Sequence, residues 1–369
     1  MDLLVKLHQQ VSDGFVNKQY TALISFDFEK AFDRIWRFKI LKKLQEWNIT
    51  GNLFKFIEQF LKKRTFQVRL NSILSPVMVQ VNGTPQGSVI SPTLFLIGIS
   101  DLPNIIEAPV KYSVFADDLT IYMTSSNFSL LKEFLQNATN KLNAWSTQQG
   151  LRLSPSKTKC IIFSNKRKNP PNCIIKIGNE SIENVSTIRI LGLTLDRKLS
   201  WNDHIHNLKN QGIKSLNVLK MTAHKNWGAD RKTLKNLYQS LSLSKIDYGS
   251  IIYNSAKSST LKKLEPIQNS ALRLIIGAMY TSPVSSLHVE ANVLPLKFRR
   301  CFLSIKYYIK LLTRTTNPTY PNTVNPNFYS LYLKKANIPK PLGIRCKIDI
   351  ENSNLQVPHN LTPNIIANF

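Results

Sequence analysis

Three carboxylates stand where a folded chain ordinarily keeps them out. Asp27 interrupts the apolar run LISFDFEKAF (residues 23–32). Asp117 and Asp118 sit side by side between apolar, β-prone runs in YSVFADDLTIY (residues 112–122). A carboxylate within a strand is costly to bury unless it is paired or bound to a cation. Two adjacent carboxylates repel, and a divalent ion relieves that repulsion. Magnesium suits such a set, being a hard ion that takes a few carboxylates and lets substrate phosphates complete its shell. Three carboxylates on two neighbouring strands would suit a two-metal site for in-line phosphoryl transfer. The plain alternative is an edge-strand Asp27 and an ordinary turn at Asp117–Asp118, since Asp bonds its own backbone in turns.

The surrounding periodicity says what must position these groups. Residues 2–16 have helical spacing, and ALISFDF reads as a short strand. WRFKILKKLQEW places Trp36, Ile40, Leu44 and Trp47 on one helical stripe, a pattern of core packing. FQVRLNSILSPVMVQVNG alternates like a strand pair around a turn, and TLFLIGISDLPNII reads as a helix. Between the acidic elements lies NGTPQGSVISPTLF (residues 82–95). There Gly83 and Gly87 permit close backbone approach and Pro85 and Pro92 stiffen the chain. This loop would let a base pair or sugar lie against the backbone with Gln86 free to bond, or it is simply a turn entering a helix. NFSLLKEFLQNATNKLNAWSTQQG is a helix bounded by Asn127 and Gly150, and KTKCIIFSN, CIIKIGNESI and IRILGLTLD read as strands. The order implies an α+β fold in which helices back an antiparallel sheet. After Trp201 helical segments dominate, over 203–226, 230–243, 258–278 and 295–312, forming a second, basic, all-α unit. Residues 318–369 hold seven of the 18 prolines and read as extended or loop-like. The expected domains are thus 1–200, 201–317 and 318–369.

Lys and Arg total 49 against 22 Asp and Glu, a net charge of +27. Such an excess favours a polyanionic partner, because each cation placed on a phosphate releases a condensed counterion. A solvated basic surface or a ribosome-like structural role is the competing explanation. The four cysteines are far apart, without metal-ligand spacing or a disulfide framework, so a reducing intracellular compartment, nucleus or cytoplasm, is expected. The basic cluster NKRKNPP (165–171) reads either as a nuclear-localisation signal or as loop charge. No apolar run has the length of a membrane span, and the N-terminus lacks the pattern of a secretory signal.

Taken in order, these motifs resemble the palm of a reverse transcriptase of the jockey-like non-LTR retrotransposons. SFDFEKAFDRIW is similar to the first palm motif, GTPQGSVISPTLF to the second and FADD to the third. LRLSPSKTKCIIFS is similar to the fourth, and ILGLTLDRKLSW to the fifth, the primer grip. The resemblance covers residues 20–200 and continues through LEPIQNSALRLIIGAMYTSPVSSLHVEANVLPLKFRR, which resembles the helical thumb and the region after it. Any one motif could arise by chance, whereas five in register are specific.

The resemblance implies an RNA-directed DNA polymerase with a palm over 1–200 and a helical thumb over 201–317. Its partners would be an RNA template, a DNA primer and a dNTP, and its cofactor two Mg²⁺ ions, with Mn²⁺ able to substitute. Asp27 and Asp117 would be the principal metal ligands, Asp118 the third carboxylate and the Phe28 carbonyl an accessory ligand. Phe32 matches the steric gate that excludes a ribose 2′-hydroxyl, although apolar Ala31 and Ile35 beside it also suit a core ring. Gln86 and Gly87 would meet the incoming nucleotide. Lys157, with Lys159 as fallback, would protonate departing pyrophosphate. Leu191 and Gly192 would shape the primer grip. Asp33 and Arg34 also match the first motif, and a helix-start salt bridge explains them.

The sequence departs from the family pattern ahead of the first motif. Asp27 lies 26 residues from the start, with no fingers hairpin, no endonuclease before it and no Cys/His knuckle after. A truncated chain with weak or no polymerisation is therefore expected. The readings in play are an RNA-directed DNA polymerase, full or residual, and a non-catalytic nucleic-acid-binding remnant. A metal-dependent nuclease fits the carboxylates alone, but the second and fifth motifs argue against it.

Overall fold

The computed structural model describes residues 1–62, 64–168, 170–224, 227–335 and 337–353. The chain divides into two compact units, one of Tyr20–Ile162 with Asn169–Val185, the other of Met1–Gln19 with Phe163–Lys168 and the residues from Ser186 onward.

The first unit is built on a five-stranded sheet. Its strands are β1 (Tyr20–Phe26), β2 (Lys111–Phe115), β3 (Asp118–Ser125), β4 (Lys159–Phe163) and β5 (Glu183–Asn184), in the order β5-β4-β1-β3-β2. β1 is central and buried on both faces from Thr21 to Ile24, which is why its sequence is a continuous apolar run rather than an alternating one. β1 and β3 pair antiparallel from Tyr20 opposite Ser125 to Phe26 opposite Leu119. β2 lies at the edge, with Lys111 and Phe115 exposed and Ser113 buried. The antiparallel β1, β2 and β3 with packed helices make this an α+β unit, as expected.

The helix Phe128–Gln148 packs on β3 through Leu131, Leu135, Leu142 and Trp145. The Asn127 side chain accepts from the Ser129 and Leu130 amides at its start, and Gly150, at φ +74°, follows its end. In the helix Arg37–Glu46 only Ile40 and Leu44 are buried. Trp36 and Trp47 flank it and are exposed, so the expected four-residue core stripe has only two members. The segment expected to be a strand pair forms two short ribbons, Thr65–Phe66 with Met78–Val79 and Arg69–Leu70 with Ile73–Leu74, and its apolar side chains face solvent.

The second unit carries the hairpin of β6 (Thr187–Ile190) and β7 (Leu193–Asp196) and then helices. Arg231–Tyr238, Glu265–Ile276 and Leu296–Leu312 lie inside the expected helical segments, and Asn202–Thr222 matches the first of them but starts one residue ahead. The expected 258–278 run is helical without a gap from Ser258 to Ile276, tightening to a 3₁₀ turn at Lys262–Leu264 just ahead of Pro266 in the first turn of Glu265–Ile276.

Two expectations about organisation change. The helix Asp2–Val16 belongs to this second unit: Tyr307 and Asn317 bond Asp2, Tyr332 bonds Asp13, and His8 meets Ser255. A single boundary at residue 200 therefore does not describe the chain. The described part of 318–369 is helical rather than extended, forming Tyr320–Val324, Tyr329–Lys334 and Leu342–Asn352. Pro321 and Pro341 stand at helix starts, where a missing amide costs nothing, so these two prolines are compatible with helix. Residues 354–369 lie outside the described residues. Among the described residues no helix is long and apolar enough to cross a membrane.

Candidate active site

β2 and β3 are joined by a two-residue turn, Ala116–Asp117, with Phe115 paired to Asp118. Ala116 takes φ +53°, the conformation such a tight hairpin demands at its first central position. The turn leaves Asp117 and Asp118 exposed at its tip. Across the ladder, extending the Phe26–Leu119 register by one residue sets Asp27 opposite Asp118. The turn is thus what presents the two carboxylates, beside Asp27 on the neighbouring strand. Although Asp118 is exposed at the tip, partial desolvation, then Asp117, then Asp27 raise its carboxyl above its ordinary value.

Asp27 is fixed from the other side by the fourth motif. The Ser154 amide donates to the Asp27 carbonyl at 2.8 Å, and the Asp27 amide reaches the buried Thr158 hydroxyl at 3.4 Å. Thr158 in turn donates to the Ser154 carbonyl at 2.7 Å, closing the turn. Lys157 extends from that turn to within 3.7 Å of Asp27 Oδ2, an ion pair but not a hydrogen bond, and that oxygen is buried without a hydrogen-bond partner. Lys159 stands exposed at the start of β4. Phe28 is buried and bridges Leu153. The bridge's hydrogen bonds run through the Asp27 carbonyl and the Glu29 amide, so it does not use the Phe28 carbonyl.

The loop ahead of the helix Ser91–Gly98 is clamped to the first motif. The Gly83 amide donates to the Ile35 carbonyl (2.9 Å) and the Thr84 amide to that of Phe32 (2.7 Å). The Arg37 guanidinium donates to the carbonyls of Gln80, Asn82 and Gly83. Gly83 sits at φ +83°, and a Cβ there would lie 2.5 Å from the Asp33 carbonyl oxygen. Gln86 is not free: its amide donates to both Asp33 oxygens at 3.0 and 3.1 Å. The expected Asp33–Arg34 salt bridge is replaced by this bond and by an Arg34–Glu29 pair at 3.6 Å. Gly87, at φ +85°, has open space where a Cβ would stand. Phe32 is half-buried and packs on Phe95 with ring centroids 4.8 Å apart, so the core explanation of this ring has a physical partner.

Leu191 and Gly192, in the other unit, form the β6–β7 turn, both at positive φ (43° and 83°). The Tyr248 hydroxyl donates to the Leu191 carbonyl at 2.7 Å, and a Cβ on Gly192 would meet the same ring at 3.1 Å. Beyond the turn, the Asp196 carboxylate collects the amides of Lys198, Ser200 and Trp201, which explains the spacing of LTLDRKLSW as a capped loop. Ser154, Thr158, Arg37 and Tyr248 are the positioning residues that pattern reading missed. Ser154 and Thr158 had a local signal, polar groups in a Pro-containing turn entering a buried strand. Arg37 and Tyr248 had none, because their partners are backbone carbonyls distant in sequence.

Among the described residues, no three acidic, His or Cys side chains close around a point an ion would occupy. The donor chemistry nevertheless fits a hard divalent cation: three carboxylates within electrostatic reach, with a buried Asp27 oxygen that has no hydrogen-bond partner.

A family model for reverse transcriptase (RNA-dependent DNA polymerase) matches residues 4–195. The chain belongs to the reverse transcriptase family. Members of this family generally use divalent metal ions. The chain is 28% identical over 288 residues to the RNA-directed DNA polymerase from mobile element jockey of Drosophila melanogaster, covering 74% of this chain and 30% of that protein. It is 24% identical over 298 residues to the probable RNA-directed DNA polymerase from transposon BS of the same species, covering 78% and 32%. The resemblance to jockey-like non-LTR elements therefore holds, and this reverse transcriptase chain spans about a third of the length of those relatives. Apo telomerase from Candida tropicalis is similar in structure at a TM-score of 0.39 and 11% identity, covering 84% of this chain and 53% of that one.

Proposed function

We propose that this chain carries the palm chemistry of an RNA-directed DNA polymerase, transferring a nucleotide from a dNTP to a primer 3′-hydroxyl on an RNA template. The observation that carries the reading is Asp27, fixed by β1 and the Ser154–Thr158 turn, opposite Asp118 and with a buried oxygen lacking a hydrogen-bond partner. Asp27, Asp117, Asp118 and the carbonyl of Phe28 would hold two Mg²⁺ ions. Such ions, when bound, lower the pKa of the attacking hydroxyl and neutralise the triphosphate.

The remaining roles fall to the chain itself. Lys157, within 3.7 Å of Asp27, delivers a proton to departing pyrophosphate. Gly87 leaves its side of the loop open to an incoming nucleotide, while Asp33 fixes the Gln86 amide and leaves its Oε1 to accept. Phe32, anchored on Phe95, screens the sugar. Leu191 and Gly192, their turn fixed by Tyr248, shape the seat of the primer terminus.

Primer extension on an RNA template with Mg²⁺ tests the reading. Extension that disappears in Asp117→Ala supports it. Salt-sensitive template binding with no extension in either protein would instead establish a non-catalytic nucleic-acid-binding chain. Phe32→Ala should admit ribonucleotides, and unchanged sugar selectivity would remove the gate assignment.

A further inference from the structure

In the helical unit two basic clefts adjoin, sharing Asn165, Asn337 and Ile338 among their walls. The first, of about 530 Å³, carries Lys18 and Lys334, and the second, of about 520 Å³, carries Lys198, Lys257, Lys340 and Arg345. No carboxylate lines either cleft among the described residues, and none of these five lysines makes an ion pair there. Like charges left together without counter-charge are unfavourable unless an anion joins them.

Arg345 adds an independent sign. Its Nε donates to the Lys340 carbonyl and its Nη2 to that of Ile251, while Nη1 is buried with no partner. A guanidinium never gives up its charge, so that buried donor asks for an acceptor. The other wall groups, including Asn202, Asn254 and Ser200, are neutral and can bond sugar or base edges without repelling phosphate.

We propose that these joined clefts form one groove that binds a single strand of nucleic acid along its phosphodiester backbone. The groove needs neither metal nor dNTP, so it goes beyond the polymerase reading and stands or falls apart from it. An elongated ligand is required because the cations are spread over two adjoining clefts, and a repeating phosphate fits that spread.

The test is fluorescence anisotropy of the full chain with a labelled 12-nucleotide oligo-U, without divalent ions, across a salt series. Each lost phosphate contact removes about 0.7 from the slope of log K against log salt for a single strand. Lys198→Gln, Lys257→Gln and Lys340→Gln together should lower the slope by about 2 and the affinity about 100-fold at 0.1 M salt. A control with Lys42→Gln, Lys55→Gln and Lys132→Gln removes the same charge from the sheet unit. Equal losses in both triple variants would show that net charge alone matters and overturn the groove. An unchanged affinity in the first variant, or binding of a poly-Glu peptide in place of RNA, overturns it as well. Circular dichroism confirms that both variants are folded, and neither touches a residue of the candidate active site.

Discussion

Replacing Gly83 by Ala separates two demands that glycine can meet. Both Gly83 and Gly87 lie at φ near +84°, where an L-residue costs about 1–2 kcal/mol. At Gly87 nothing lies within 4 Å of the added Cβ, so Gly87→Ala should cost that backbone term alone. At Gly83 the Cβ would stand 2.5 Å from the Asp33 carbonyl oxygen and 2.6 Å from its Cα and carbonyl carbon, all backbone atoms that cannot rotate away. The loop must retreat by roughly 1 Å to restore ordinary contact, a strain of about 1–3 kcal/mol. That retreat stretches the Gly83–Ile35 and Thr84–Phe32 hydrogen bonds, each worth about 1 kcal/mol. Gly83→Ala should therefore cost about 4–7 kcal/mol against about 1–2 for Gly87→Ala. Urea unfolding resolved by unit should show the larger shift in the sheet unit only, and the amides of residues 83 and 84 should lose hydrogen-exchange protection. Equal destabilisation by the two substitutions would refute the clamp.

Acid should weaken the helical unit through buried neutral histidines. Burial, and then Arg345, hold His8 down to about 3, and burial and then Arg189 hold His204 at about 4. Their folded pKa values lie below the unfolded value near 6.5, so their contribution is complete above that pH and is lost as pH falls toward 4 and 3. The loss is about 1.4 kcal/mol per pH unit for each histidine, or about 4 kcal/mol for both at pH 5. His8→Gln should remove about half of this slope in unfolding measured from pH 7 to 5, and an unaltered slope would refute the assignment. Ala116→Gly should relieve the positive φ at the hairpin turn and stabilise the sheet unit by about 0.5–1 kcal/mol in thermal melts; a loss of stability would mean the turn is not under strain. Asp118→Asn should raise the melting temperature in metal-free buffer by removing a charge that burial, Asp117 and Asp27 all disfavour. Added Mg²⁺ should then stabilise the parent chain more than the variant, and the opposite order would count against carboxylate ligation.

Legibility in the sequence followed the range of the interactions. β1 and β3, their apolar runs and the Asn127 and Gly150 boundaries were readable because strand burial and helix capping are written within a few residues. The hairpin was readable too, since its two-residue turn lies between two apolar runs. What failed to show was what long-range partners decide. Gln86 looked free because nothing nearby announces that Asp33, 53 positions earlier, takes its amide. Trp36 and Trp47 matched a helical stripe, yet the helix begins and ends between them. The C-terminal prolines read as breaks, while the places of Pro321 and Pro341 at helix starts depend on the short helices that follow.

The partners of the first helix set an order of events during synthesis. Asp2, His8 and Asp13 bond residues 247–319 positions further along, so this helix emerges long before the surfaces that will receive it. At about 5–20 residues per second, roughly 16–64 s pass between its appearance and that of its last partners. Until Ser250–Ser255 emerge, its apolar face, with Leu4, Leu7, Val11 and Phe15, has none of these native partners to meet. The sheet unit, whose strands are nearer in sequence, can close first. The helical unit is thus finished last, and a ribosome stalled before residue 307 would hold a folded sheet unit with Asp2 and Asp13 of the first helix still without their later partners.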